Sequence, residues 1–327
     1  MNRRDFLVRS SLFASAGLLV RPWLAAQASG AASSPAARPA PVSLASVTEF
    51  RPLRRDVGLF TGRGGTIGWL ANKDGLVVVD TQFPDTAAVC LAGLPGAAGR
   101  TLDVVLNTHH HADHTSGNPV FKPAARTVVA HANVPKLQFA AATRAEQDPN
   151  VSSWARLDQQ VYADTTFTEV WRRELGSEIV AAEYHGAAHT TGDVTITFEK
   201  ANVVHVGDLL FNRLYPAVDR VAGASIRHWI VVLEEIAKNY PADAIYVCGH
   251  GNPKFGVTGK RDDLLVLRDY FSALLAYTQK KIAAGEPKEK IIALENFPGF
   301  EDFHAPLPNR LGSNLGVAYD ELTEKKT

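Results

Sequence analysis

Cysteine is nearly absent from this sequence, with Cys90 and Cys248 the only two. Two thiols exclude the disulfide framework that holds many small secreted domains together. Cys90 lies in a helix-like segment, DTAAVCLAGL, and Cys248 in an apolar, strand-like run, AIYVCGH. Both read as small buried hydrophobes. A single bridge is chemically open, but nothing in the sequence brings the pair together. A charge excess of either sign is also lacking. The 34 basic and 34 acidic side chains cancel, which removes the electrostatic footprint of a nucleic-acid partner. The apolar stretch Leu12 to Val20 is too short to span a bilayer, so no stable membrane anchor is expected. What is present is an ordinary globular composition, 46% hydrophobic and 21% charged over 327 residues. That is enough chain for one large domain or two small ones with a substantial core.

The first residues, MNRRDFLVRSSLFASAGLLVRPWLAAQA, combine a basic start, a modest apolar stretch and small residues at Ala26 to Ala28. This is the layout of a signal peptide with its cleavage site, expected over residues 1–28. The pair Arg3-Arg4, followed by Phe6-Leu7, resembles the twin-arginine export signal of bacteria. That resemblance implies the twin-arginine export machinery as a partner, export in a folded state, and a periplasmic or exported location. Residues 29–46, which include SGAASSPAARPAP, read as a flexible linker. One folded domain is therefore expected over 47–327.

Within it, TIGWLANKDGLVVVD reads as two strands around the turn NKDG. A helix is expected from Asp85 to Leu94, then the strands LDVVLNT and RTVVAHA. Helical patterns cover Asn133 to Arg144 and Val151 to Gln159, and strands dominate from Thr166 to Asp208. The clearest helix is SIRHWIVVLEEIAKNY. Ser225 is its N-cap, and Ile226, Trp229, Ile230, Leu233, Ile236 and Tyr240 recur at helical spacing as a core-facing stripe. The strand AIYVCGH follows, then a long helix from Asp262 to Ala284 and a last helix capped by Ser313. Strands in two batches, each followed by helices, point to two sheets packed face to face with helices outside.

Between the strand LDVVLNT and the next comes NTHHHADHTSGN, with four histidines and an aspartate from His109 to His114. Imidazole and carboxylate are ligands for zinc and other borderline divalent metals. On a regular element these side chains would point several ways; on a loop at a strand end they converge.

The pattern H-x-H-x-D-H formed by His109, His111, Asp113 and His114 resembles the signature of the metallo-β-lactamase superfamily. Further landmarks follow the family's order: Asp80 in LVVVDTQF, His189 in HGAAHTTGD, Asp208 in VVHVGDLLF and His250 in YVCGHG. The resemblance covers essentially the whole domain and implies an α/β, four-layer αββα sandwich with a metal site at one edge, between the sheets. It implies that His109, His111 and His189 hold one metal, that Asp113, His114 and His250 hold a second, and that Asp208 bridges them. Two Zn²⁺ ions are expected, with iron or manganese also open. Metal-activated water at neutral pH would then be the nucleophile, with Asp113 orienting it as a catalytic residue. Asp80 would support a ligand histidine by hydrogen bonding. His185 is a candidate for the pocket lining, and Arg213 a candidate contact for an anionic substrate group. His110 is expected to point away from the metals, His131 to be structural, and His205, out of phase with Asp208, to face the opposite side of its strand. TGRGGT reads as either a flap at the site mouth or simply the start of a hairpin.

Two departures bear on the subgroup. The best-known zinc β-lactamases carry cysteine where this chain has Asp208, and often a lysine where it has Phe211. The bridging aspartate instead resembles that of thioesterases, lactonases, phosphodiesterases and sulfatases of the superfamily. The expected activity is hydrolysis of a small ester, thioester, lactone or lactam. The alternatives are a β-lactamase proper and an oxidoreductase resembling the mononuclear-iron persulfide dioxygenases.

Overall fold

A computed structural model describes residues 48–324. The expected signal peptide and linker lie outside the described residues.

Seven strands form the first sheet, in chain order: β1 (Glu49–Arg54), β2 (Val57–Thr61), β3 (Ile67–Ala71), β4 (Leu76–Val79), β5 (Val104–Leu106), β6 (Val128–His131) and β7 (Thr165–Phe167). The expected turn between β3 and β4 is built by Asn72, whose Oδ1 accepts the N–H groups of Asp74 and Gly75 at 2.8 and 2.6 Å. From β4 to β7 the strands run parallel. Such strands are covered on both faces, which explains the unbroken apolar run LVVV in β4. Side chains alternate along it. Val77 and Val79 join the core between the sheets, while Leu76 and Val78 face outward. There they pack with Ala87 and Cys90 of helix α1 (Pro84–Gly93).

The second sheet contains β8 (Val170–Leu175), β9 (Glu178–Tyr184), β10 (Val194–Phe198), β11 (Val203–Asn212), β12 (Ile245–Gly251) and β13 (Thr258–Gly259), with β13 at one edge and β8 at the other. Val180, Ala182, Val194, Ile196, Phe198 and Val247 meet the inner face of the first sheet. The first sheet also carries short helices α2 (Ala112–Thr115) and α3 (Asn118–Phe121), and the longer α4 (Val134–Ala145). The second is covered by α5 (Ile226–Asn239), α6 (Arg261–Ala283), α7 (Lys288–Ile292) and α8 (Arg310–Thr323). The result is the four-layer α/β sandwich that the strand and helix pattern implied.

Helix α5 shows how the sequence builds one outer layer. Ser225 Oγ accepts the N–H of His228 at 3.2 Å, capping the helix. Ile226, Trp229, Leu233 and Ile236 are fully buried and pack with Val204, Val206, Tyr246 and Cys248 of the sheet. Burying each such side chain contributes roughly 1.5–3 kcal/mol. Ile230 and Tyr240, at the edge of the stripe, are only partly buried.

Two expectations need correction. Residues Val151 to Gln159 do not form one helix. They make two single 3₁₀ turns, Ser153–Ala155 and Leu157–Gln159, separated by an extended Arg156. A segment this short gains little from propagation, and here Trp154 packs on Phe83 with ring centroids 4.7 Å apart. The last helix begins at Arg310, not after Ser313. Asn309 precedes it in a left-handed conformation, and Ser313 sits in the first turn, its Oγ donating back to Asn309 O at 3.1 Å. Cys90 and Cys248, read as small buried hydrophobes, are buried free thiols on the outer sides of different sheets, and the bridge left open by the sequence does not form.

Candidate metal centre

The functional residues gather where both sheets end. The histidine loop leaves β5 and turns at once into α2. Two asparagines clasp it: Asn118 Nδ2 donates to Asn107 Oδ1 at 2.9 Å, and Asn107 Nδ2 to Asn118 Oδ1 at 3.1 Å. Thr81 adds its N–H and hydroxyl to the His114 carbonyl at 2.9 and 3.0 Å. His189 comes from the loop before β10, Asp208 from within β11, and His250 from β12.

Their ligating atoms converge in two groups. His109, His111, His189 and Asp208 form one; Asp113, His114 and His250 form the other. In the first, His111 Nδ1 lies 3.1 Å from His109 Nε2 and 2.9 Å from His189 Nε2. In the second, His250 Nε2 lies 3.0 Å from Asp113 Oδ2 and 3.4 Å from His114 Nε2. Ligand atoms about 2.0–2.1 Å from a tetrahedral metal are separated by about 3.3 Å, so both groups have the span a divalent ion requires. Asp208 faces both. Its Oδ2 is 3.4 Å from His189 Nε2, and its Oδ1 is 3.2 Å from His114 Nε2 and 3.6 Å from His250 Nε2. Oδ1 is buried without a hydrogen-bond partner. An orphaned, buried carboxylate oxygen between histidine nitrogens fits a cation site.

The remote nitrogens fix which imidazole atom is free to ligate. His189 Nδ1 donates to the Ala217 carbonyl at 2.8 Å. His111 Nε2 donates to Asp219 at 2.9 Å, and His114 Nδ1 to Asp80 at 2.7 Å. His109 Nδ1 meets Thr108 Oγ1 at 3.1 Å, whose hydroxyl donates to Asp80 at 2.8 Å. In the neutral ring each contact leaves a lone pair aimed into its cluster. Asp80 is wholly buried and adopts φ +63°, a left-handed conformation unusual outside glycine. From there it also accepts the Thr108 N–H at 2.8 Å.

Charge divides the clusters. Burial, reinforced by neighbouring imidazoles, holds His109 well below the ordinary histidine range and His189 at about 4. Burial also opposes charge on His114, but Asp208, Asp80 and Asp113 outweigh it and hold this imidazole well above that range. His250 is raised in the same way, against burial, by Asp208 and Asp113. Asp208 is correspondingly driven low by His250 and His114 in spite of its own burial.

Thr61 to Thr66, read as a flap or a hairpin start, is tied to the site. Gly65 N donates to Asp113 O, and Thr66 N to Gly249 O, both at 2.9 Å. A Cβ on Gly65 would lie 2.1 Å from the His114 ring, so only glycine permits this approach. The clusters open into a cavity of about 280 Å³ whose apolar lining includes Phe211, Leu214 and Leu307.

Other candidates fall elsewhere. His185 bonds Thr195 Oγ1 at 3.0 Å and packs edge-on against Tyr240, not in the cavity. Arg213 turns away at φ +56° and pairs with Asp263 at 3.0 Å, so it is not an anion contact at the cavity. His205 does not face away from the first sheet. Gly207, at φ +50° within an irregular stretch of β11, resets the alternation, and His205 Nε2 reaches the Thr66 carbonyl at 3.0 Å. His110 lies beside Asp219, its Nδ1 unpartnered, and His131 stacks on Tyr184 at 3.9 Å. Sequence reasoning missed Asp219, Thr108 and Arg310. Asp219 belongs to no recognisable pattern, and only the fold brings it to His111.

Solved structures with the same fold include a metallo-beta-lactamase from Pontibacter korlensis, with TM-score 0.54 and 17% identity over 69% of this chain and 99% of that one. Another, from Hirschia baltica, has TM-score 0.52 and 18% identity over 68% of this chain and 97% of that one. A double mutant of the sec-alkyl sulfatase PisA1 has TM-score 0.61 and 16% identity over 85% of this chain, which spans only 50% of the sulfatase. At such identities these likenesses concern the fold. Residues 60–250, more than half of the sequence, match the family described as the metallo-beta-lactamase superfamily. With that match and the two clusters at the sheet edge, the chain belongs to the metallo-β-lactamase superfamily.

Proposed function

We propose that this protein is a dinuclear metal hydrolase, zinc-loaded, that cleaves a small ester, thioester, lactone or lactam. The observation that carries this reading is Asp208, whose two oxygens face two separate ligand clusters. His109, His111 and His189 would hold one ion, and Asp113, His114 and His250 the other, with Asp208 shared between them. Two such cations repel, and a shared carboxylate offsets that repulsion. The ions supply Lewis acidity toward the scissile carbonyl and lower the pKa of water toward neutrality.

The chain's own residues do the rest. Asp113 is partly exposed at the cavity, and its carboxylate stays ionised beside His114 and His250. It can therefore accept a hydrogen bond from the attacking water and orient it. Asp80 and Asp219 keep His114 and His111 in the ligating tautomer. Phe211, stacked near His250 at 5.6 Å, and Leu214 exclude water from one side of the cavity. The complete second cluster supports hydrolysis over mononuclear-iron oxidation, which would need only one ion. The twin-arginine-like start supports a periplasmic site of action.

The test is metal content and turnover of the purified, zinc-reconstituted protein on a chromogenic cephalosporin and on nitrophenyl esters. Two equivalents of zinc and chelator-sensitive turnover near 10⁴ M⁻¹s⁻¹ on one substrate support the reading. A single equivalent, or turnover indifferent to chelator, refutes it. Turnover of the cephalosporin would place β-lactams among its substrates despite Asp208 and Phe211.

A further inference from the structure

Arg310 opens α8 and lines the cavity onto which His111, Asp113, Asp208 and His250 also open. Its Nε is buried without a hydrogen-bond partner, and no ion pair to its guanidinium is found among the described residues. Several other arginines have counter-ions, Arg63 in Asp85, Arg213 in Asp263 and Arg220 in Glu321; Arg51, whose Nε is also buried and unpartnered, donates to Thr258 away from this cavity. Burial draws Arg310 below the ordinary arginine value, yet a guanidinium remains charged. A half-buried cation with no counter-ion is costly to hold. Its planar fork of donors suits a carboxylate or sulfate, which it can bind through two parallel bonds.

The rest of the cavity wall says what accompanies that charge. Phe211 and Leu214 are buried apolar residues, and Leu307, 56% exposed, stands at the rim. Such a lining takes an apolar body rather than a polar one. We infer that Arg310 is the specificity residue of the site and selects substrates in which an oxyanion, carboxylate or sulfate, is joined to a small apolar body. The inference rests on the hydrolase reading above and names its substrate class.

Binding calorimetry separates the two ideas, because it reads Arg310 without turnover. The probes are 4-phenylbutyrate, phenethyl sulfate and the neutral 4-phenylbutan-1-ol. They are titrated into the native protein and into R310M and R310K, each with and without zinc, after thermal unfolding has shown that the variants fold. The native protein should prefer at least one anion to the alcohol, and the tighter anion identifies the head group. In R310M that preference should fall at least about tenfold, as expected for loss of a charge-assisted contact. R310K, which keeps the charge but not the fork, should fall between the two. A native protein with no preference for either anion, or an R310M preference equal to the native one, overturns the assignment. Failure of the hydrolase reading looks different: anions would bind through Arg310, but the protein would take up fewer than two equivalents of zinc and, so loaded, turn over none of the chromogenic cephalosporin, 4-nitrophenyl hemisuccinate and 4-nitrophenyl butyrate.

Discussion

The two clusters share Asp208 and little else. The first is built from three histidines, two of them sealed from solvent, and each remote nitrogen is tied to a fixed partner. Burial keeps His109 and His189 neutral. The second is more open, with Asp113 and His250 side chains 29% and 26% exposed. Its carboxylates raise His114 and His250 and so favour their charged forms when no metal is present. Protons therefore compete less for His109 and His189 in one cluster, whereas in the other, a network of ion pairs, they compete more strongly with a cation. Metal binding at the second should be weaker and far more sensitive to acid.

The sharpest way to break this contrast is to remove what the clusters share. Asp208→Ala should lower the metal count from two to one or none and cost about 10³-fold or more in kcat/KM; an unchanged count of two would exclude a bridging role. Acid should then separate the pair. Lowering pH through the raised values of His114 and His250 returns protons to the second cluster. Its metal affinity should fall by up to about 100-fold per pH unit, tenfold for each competing proton. The first cluster, where burial already holds His109 and His189 low, should keep its ion over the same range. Metal titrations at pH 7.5 and 6 check this, and simultaneous loss of both ions would contradict it. Supporting residues should act mainly on one cluster each, Asp80 reaching the first only through Thr108. Asp219→Ala should weaken the first ion about 10–100-fold, and Asp80→Asn the second by a similar factor. Asparagine suits the left-handed backbone at position 80, so the effect can be read from metal affinity rather than folding. The smallest effect belongs to Gly65→Ala, which presses on the His114 ring. It should cost about 1–3 kcal/mol of stability in thermal unfolding, with the second ion held less tightly.

Those supporting residues also mark where sequence reading stops. The clustered residues were legible because each sits in a short local pattern: the histidine loop after an apolar strand, HTTGD, VGD and CGHG. The layering was legible because apolar runs such as LVVV and the stripe of α5 carry their own periodicity. Asp219 was not, because its role depends on a loop after β11 folding back on His111. His205 was misread because the alternation rule holds only while a strand is regular, and Gly207 interrupts β11. Arg213 drew attention by standing just after Asp208, but its left-handed backbone carries it toward Asp263. The arginine at the cavity is Arg310, at the start of a helix whose first turn sequence reasoning placed too late.

Each cluster mixes side chains from the two halves of the sandwich. His109 and His111 from the first sheet's loop meet His189 from the second; Asp113 and His114 from that loop meet His250. A bound ion is therefore a rivet through the open edge, and prying the sheets apart there means breaking metal–ligand bonds. Any ion that binds only the folded chain adds its binding free energy to the fold. Chelation should accordingly loosen the molecule mechanically as well as silence it, and a molecule starved of metal should be first to fall to proteases.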